Sequence, residues 1–111
     1  MTVITPGGRV ALPDPTDGMG EANVAVIRQA PVEHLLLTVT SGEYTWVWVL
    51  VPSDSGLQVV LAVQCLGTIK PVWAGIAVTD MPDGESPGSR LADVNFLFDP
   101  TTGRYKRSTV P

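Results

Sequence analysis

At 111 residues and 11.8 kDa the chain has room for one domain, because two would each approach the lower limit of about fifty residues. Hydrophobic residues make up 44% and charged residues only 16%, and the formal net charge of −4 argues against nucleic acid as the main ligand. With 16 Val, 11 Thr and 4 Ile the composition argues against a helical bundle, the single Cys65 excludes a disulfide scaffold, and no apolar run is long enough for a spanning helix.

The first twenty residues, MTVITPGGRVALPDPTDGMG, are rich in Pro and Gly and hold two short β-like pieces, Val3-Ile4 and Arg9 to Leu12. They read as an extended Pro/Gly-rich arm or an edge strand, residues 1–20, ahead of an antiparallel β domain over 21–111. Residues 1–10 lack a basic start followed by a long apolar stretch, so no secretion signal is expected and synthesis in the cytoplasm is. Ala22 to Gln29 reads as a strand, with a short helix as the alternative, and Pro31 ends it either way.

Glu33 to Thr40 and Glu43 to Val51 are β-rich runs flanking Ser41-Gly42, which predicts a hairpin with those two residues as its loop. That register sets Val39 opposite Tyr44, Leu37 opposite Trp46 and Leu35 opposite Trp48, all on one face. Thr38, Leu36 and His34 take the other face. After a turn at Pro52 to Gly56, the run Leu57 to Leu66 is nearly all apolar and predicts a strand covered on both sides. Ile69 to Thr79 predicts one further strand, with Pro71 and Gly75 marking an edge or a bulge. Asp80 to Ser89 reads as a loop, Ala92 to Asp99 as a strand, Pro100 to Gly103 as a turn and Arg104 to Thr109 as the last strand. Turn signals at this spacing imply an all-β fold, a single antiparallel sandwich or small barrel of about 6–8 strands.

The chain offers little chemistry. Gly84-Glu85-Ser86-Pro87-Gly88 matches the G-x-S-x-G formula of hydrolase nucleophiles, but it lies in a Pro- and Gly-rich loop without the buried strand and helix that formula needs. Cys65 sits among Val63, Gln64 and Leu66 as a small buried hydrophobe, and His34 is expected half exposed, so the two are not expected to act as a thiolate–imidazole pair. One Cys and one His cannot supply a structural zinc site within one chain. Asp80, Asp83 and Glu85 could at most hold calcium weakly, and read first as a solvated acidic loop. Gly18-Met19-Gly20 lacks the third glycine of a dinucleotide-binding turn. Trp46 and Trp48, with Tyr44 beside them, are expected mainly in the core, with a partner interface or a ligand platform as alternatives.

No acid, base and nucleophile set can be assembled, so no enzymatic activity and no cofactor or metal is expected. Between Tyr44 and Ile69 the only ionisable acid is Asp54, with no Lys or Arg, whereas Arg104, Lys106 and Arg107 cluster near the C-terminus. So little charge should leave contiguous apolar surface on a lone monomer, which marks an interface and a homo-oligomer. The expected function is a non-catalytic structural or assembly protein that self-associates or docks on a larger scaffold, for example a capsid-decorating or tail protein of a virus or phage particle. The alternative is a small β module, of immunity or adaptor type, binding one protein partner or ligand. Expected partners are proteins, not nucleic acid or membrane. The candidate interface comprises Val3, Ile4, Val10 and Leu12 of the arm, Trp73, and the basic Arg104, Lys106 and Arg107.

Overall fold

The computed structural model describes residues 2–5, 8–12, 20–28, 33–54, 56–72, 75–82 and 90–109. All the regular structure there is β, in ten strands: β1 (Thr2–Thr5), β2 (Gly8–Ala11), β3 (Glu21–Arg28), β4 (Glu33–Ser41), β5 (Tyr44–Ser53), β6 (Gly56–Cys65), β7 (Ile69–Val72), β8 (Gly75–Pro82), β9 (Leu91–Asp99) and β10 (Arg104–Thr109). They form three antiparallel sheets, ordered β1-β2, β3-β4-β5-β6 and β10-β9-β8-β7. Ten strands replace the expected six to eight for two reasons. The arm folds on itself, Val3 opposite Val10, as a hairpin instead of an extended segment. The run 69–79 forms two strands paired Ile69 to Val78 through Val72 to Gly75, with Gly75 buried where an added Cβ would meet the Phe96 carbonyl oxygen and the Leu97 Cα of β9. β8 also runs on into the expected loop, as far as Pro82.

The β4–β5 hairpin forms, in a different register. Its loop is Gly42-Glu43, so Val39 faces Trp46, Leu37 faces Trp48 and Leu35 faces Leu50. Gly42 has φ +61° at the first loop position, which is where a type II′ turn needs its glycine. The shift is two residues along β5, and because side chains alternate with period two the face assignments survive it.

Sidedness then organises the core. One face of the β3–β6 sheet contributes Ile27, Leu36, Val47, Val49 and Cys65 to a cluster completed by Ile76, Val78, Val94 and Phe96 of the β7–β10 sheet. The opposite face contributes Leu37, Val39, Trp48, Leu50 and Leu57, against which Leu12 and the half-buried Val3 and Val10 pack from the N-terminal hairpin. β6 serves both clusters through a bulge: Val49 pairs with Leu61 but Leu50 with Val59, leaving Val60 as an extra residue. One extra residue exchanges the faces, so Leu61, Val63 and Cys65 point to one cluster while Leu57 and Val59 point to the other. β6 is therefore an edge strand with Gln58, Ala62 and Gln64 exposed, not a strand covered on both sides.

The hairpin meets β6 through backbone. A Cβ on Gly8 would lie 2.7 Å from the Gly56 Cα, and both glycines hold positive φ, +139° and +122°. At the crossing from β6 to β7, Leu66 N–H donates to the Asp80 carbonyl and Thr79 N–H to the Thr68 carbonyl, each at 3.0 Å. Opposite this corner β8 bulges between Val78 and Met81, where Asp80 adopts φ +52°, a conformation Asp tolerates better than most residues.

Candidate interaction surface

Two features of the surface stand out: a buried polar cluster that ties the two large sheets together, and an apolar sheet face that the chain covers only in part.

The polar cluster contains His34. It is 2% exposed, not half exposed as its place at a strand start suggests, and it is the one buried polar side chain among the described residues. Its Nδ1 lies 2.7 Å from the Tyr105 hydroxyl of β10. Phe98, opposite Tyr105 in β9, meets the imidazole edge-to-face at 4.6 Å between centroids. Burial holds the imidazole below its ordinary pKa, hence neutral, and pushes the Tyr105 phenol up to about 12. With the ring proton on Nε2 the phenol donates to Nδ1; the other tautomer reverses the bond. The bond joins β4 to β10 across the two sheets, which suits a sheet-to-sheet tie.

Cys65 lies elsewhere. It pairs with Thr45, itself opposite Thr40, and so sits six residues along β4 from His34, about 20 Å at strand rise. Burial pushes its thiol up, the neighbouring Asp80 charge adds to this, and a Gly67 backbone hydrogen bond only partly opposes it, so the sulfur stays protonated and a poor nucleophile. Asp80 N–H donates to Asp93 Oδ1 at 3.3 Å, while Asp83 and Glu85 lie outside the described residues. Among the described residues no three His, Cys, Asp or Glu side chains gather as metal ligands, and no helix is long and apolar enough to cross a membrane. The 84–88 pattern also falls outside the described residues, as do Gly18 and Met19.

The apolar face belongs to the β3–β6 sheet. Register places Ala22, Val24 and Val26 of β3 beside Val39, Leu37 and Leu35 of β4 on the side where the N-terminal hairpin packs. The hairpin reaches β6 at the far edge and leaves Val24 61% and Val26 48% exposed. At one end of the same face Tyr44, 42% exposed, tilts against the half-buried Trp46 at 5.9 Å between centroids. Trp48 is core, as expected.

The outer face of the β7–β10 sheet differs. There β9 presents Asp93, Asn95, Leu97 and Asp99. Lys106 Nζ lies 2.8 Å from Asp99 Oδ2, and Asp99 Oδ1 accepts from Thr101 N–H at 2.9 Å. The Lys106 hydrogen bond foremost, then that of Thr101, holds the Asp99 carboxyl below its ordinary pKa.

The candidate interface residues do not converge. Val3, Val10 and Leu12 pack within the chain. Ile4, on the hairpin's other side, is 74% exposed. Lys106 engages Asp99, Arg104 stands opposite Asp99 in the ladder, and Arg107 opposite Phe96, all three basic residues being exposed. Trp73 lies outside the described residues. Sequence reasoning missed Val24 and Val26, although their alternation with Asn23 and Ala25 was the available signal. No protein-family model matches the chain, and no curated protein and no solved structure does either.

Proposed function

We propose that this protein is a non-catalytic assembly module, which self-associates or docks on a larger protein scaffold through the outer face of its β3–β6 sheet. The observation that carries this reading is the contrast between the two outer faces: one mixes Asp93, Asn95 and the Asp99–Lys106 ion pair with the exposed Leu91 and Leu97, the other is apolar from Val24 and Val26 through Leu37 to Trp46, with its β3 side open to solvent. Small domains leave apolar surface of this kind where a partner completes its burial. The architecture that presents this face is a sandwich of the two four-stranded sheets with the N-terminal hairpin as a partial third layer. The shared cluster from Leu36 to Phe96 supports it, and so does the shortest molecular extent of 19 Å, close to two intersheet spacings of about 10 Å. Subunits of virus and phage particles are one class with this character. Size-exclusion chromatography with light scattering tests the reading from micromolar to millimolar protein. Mass should rise above 11.8 kDa with concentration, and a single-chain mass throughout would remove the self-association half of the proposal.

A further inference from the structure

We infer that the outer edge of β3, unpaired among the described residues, pairs antiparallel with β3 of a second copy, about a two-fold axis at Ala25, joining two β3–β6 sheets into one continuous sheet. This rests on the assembly reading above and assigns its surface and register.

The hydrogen-bonding phase of the edge follows from the β4–β5 turn. A two-residue loop closes on a pair that exchanges both backbone hydrogen bonds, here Ser41 and Tyr44. Odd-numbered residues of β4 therefore bond to β5 and even-numbered ones to β3. The β5–β6 loop agrees, since its closing pair, Ser53 with Gly56, makes the odd-numbered residues of β5 bond outward to β6. Across the β3–β4 ladder, Glu21, Asn23, Ala25 and Ile27 then bond inward to β4, while the N–H and C=O groups of Ala22, Val24, Val26 and Arg28 point out from the sheet.

The four edges of the two large sheets are not alike. β6 carries a bulge and lies against the Gly8 end of the hairpin. β7 is only four residues long and contains Lys70 and Pro71. β10 carries Arg104, Lys106 and Arg107. Those are the usual protections against edge-to-edge pairing. β3 runs eight residues, EANVAVIR, with no Pro, no Lys and no shift of register against β4. Its two charged positions, Glu21 and Arg28, lie at opposite ends and on opposite faces, so an antiparallel copy sets no like charges against each other across the seam.

A two-fold axis perpendicular to the sheet keeps each face on its own side, so only residues of equal parity can stand opposite each other. With Ala25 opposite Ala25, Val24 of each copy faces Val26 of the other and the two apolar faces merge into one stripe. The neighbouring register, with Val24 opposite Val24, would set the Glu21 carboxylate against the buried Ile27.

Val24→Pro tests the pairing, because it removes a donor that points away from β4 and leaves the β3–β4 ladder whole. Far-UV circular dichroism should match the parent, while light scattering should show self-association weakened about tenfold or more, two seam hydrogen bonds being lost per dimer. Val24→Lys, which leaves the backbone donor in place, should weaken it in the same direction. Ala25→Cys should form a disulfide-linked dimer on mild oxidation, since residues opposite each other in a non-hydrogen-bonded pair lie about 4.5 Å apart at Cα. Association undiminished in both Val24 variants overturns the β3 seam but leaves the assembly reading standing. A parent chain that stays monomeric overturns both. Cross-linking through Val24→Cys but not Ala25→Cys overturns the register.

Discussion

His34 and Tyr105 give the fold a pH window with a cause on each side. In the unfolded chain an imidazole takes its proton near pH 6.5, whereas burial holds the folded His34 below that value. As pH falls through about 6.5 the unfolded state binds more protons than the folded one, so stability declines until the folded imidazole also titrates. On the alkaline side the unfolded phenol ionises near pH 10 and the folded one near 12, so the Tyr105 contribution is full below about 10 and is lost between the two. Urea midpoints measured across pH should form a plateau from about pH 7 to 8, falling on the acid side through His34 and on the alkaline side first through the buried Cys65 thiol and then, above about pH 10, through Tyr105. Tyr105→Phe should flatten the alkaline flank above about pH 10 and cost about 1–3 kcal/mol at neutral pH, because Nδ1 is left buried without its partner. A His34→Leu variant should lose the part of the acid flank that begins near pH 6.5, leaving the carboxylate part below about pH 4. None of this was legible at the residue itself: His34 opens its strand beside Glu33, and its burial depends on Tyr105 and Phe98, which arrive from the end of the chain. Cys65 was legible, because an apolar neighbourhood along the strand already implies an unreactive thiol.

At the scale of the element, two glycines separate conformational cost from steric cost. Gly42 holds φ +61° in the β4–β5 turn, and a Cβ there would meet nothing within 4 Å. Gly42→Ala should therefore cost only the left-handed penalty, roughly 1–2 kcal/mol. At Gly75 the added methyl would strike the Phe96 backbone, so β8 and β9 would have to part, and Gly75→Ala should cost about 3 kcal/mol or more. Thermal melts of the two variants measure the difference; equal losses would contradict the close approach of β8 to β9. These elements also show where reading a sequence stops. Ser41-Gly42 and Gly42-Glu43 are both two-residue loops containing the glycine, and nothing local favours one over the other. The first sets every cross-strand pair two residues away from its observed partner, yet leaves Leu37 and Trp48 on the correct face because the pleat repeats every two. The β6 bulge was out of reach for a different reason. The run LQVVLAVQCL is apolar because its two halves feed two different clusters, and periodicity cannot distinguish that from burial on both sides. The turn Asp99 to Gly103 was fully readable: Asp99 caps it through Thr101, and Gly103 closes it at φ +70°.

For the whole molecule, alternation and turn spacing conveyed an all-β antiparallel chain, while the partition into three sheets depended on contacts between residues far apart in sequence. The N-terminal hairpin is the sharpest case, since Val3, Val10 and Leu12 look like arm residues until the outer face of β4 and β5 lies beneath them. Two clusters on opposite sides of one sheet also mean that the molecule can lose one and keep the other. The cluster between the large sheets, from Ile27 to Phe96, uses nothing from the hairpin. The outer cluster depends on it, for Leu12 is buried there and Val3 and Val10 cover Trp48, Leu50 and Leu57. Removing residues 1–19 should thus leave the β-type circular dichroism in place while exposing this face. Losing the burial of about three aliphatic side chains, at roughly 1.5–3 kcal/mol each when complete, should lower stability by about 3–6 kcal/mol given that two of the three are only half buried. Trp48 emission should shift to the red and a hydrophobic dye should bind. Gly8→Ala should reproduce the same signature in the full-length chain, because its Cβ would strike Gly56 where the hairpin meets β6. If the truncated chain instead unfolds outright, the two clusters are one cooperative unit and the hairpin is an integral part of the core.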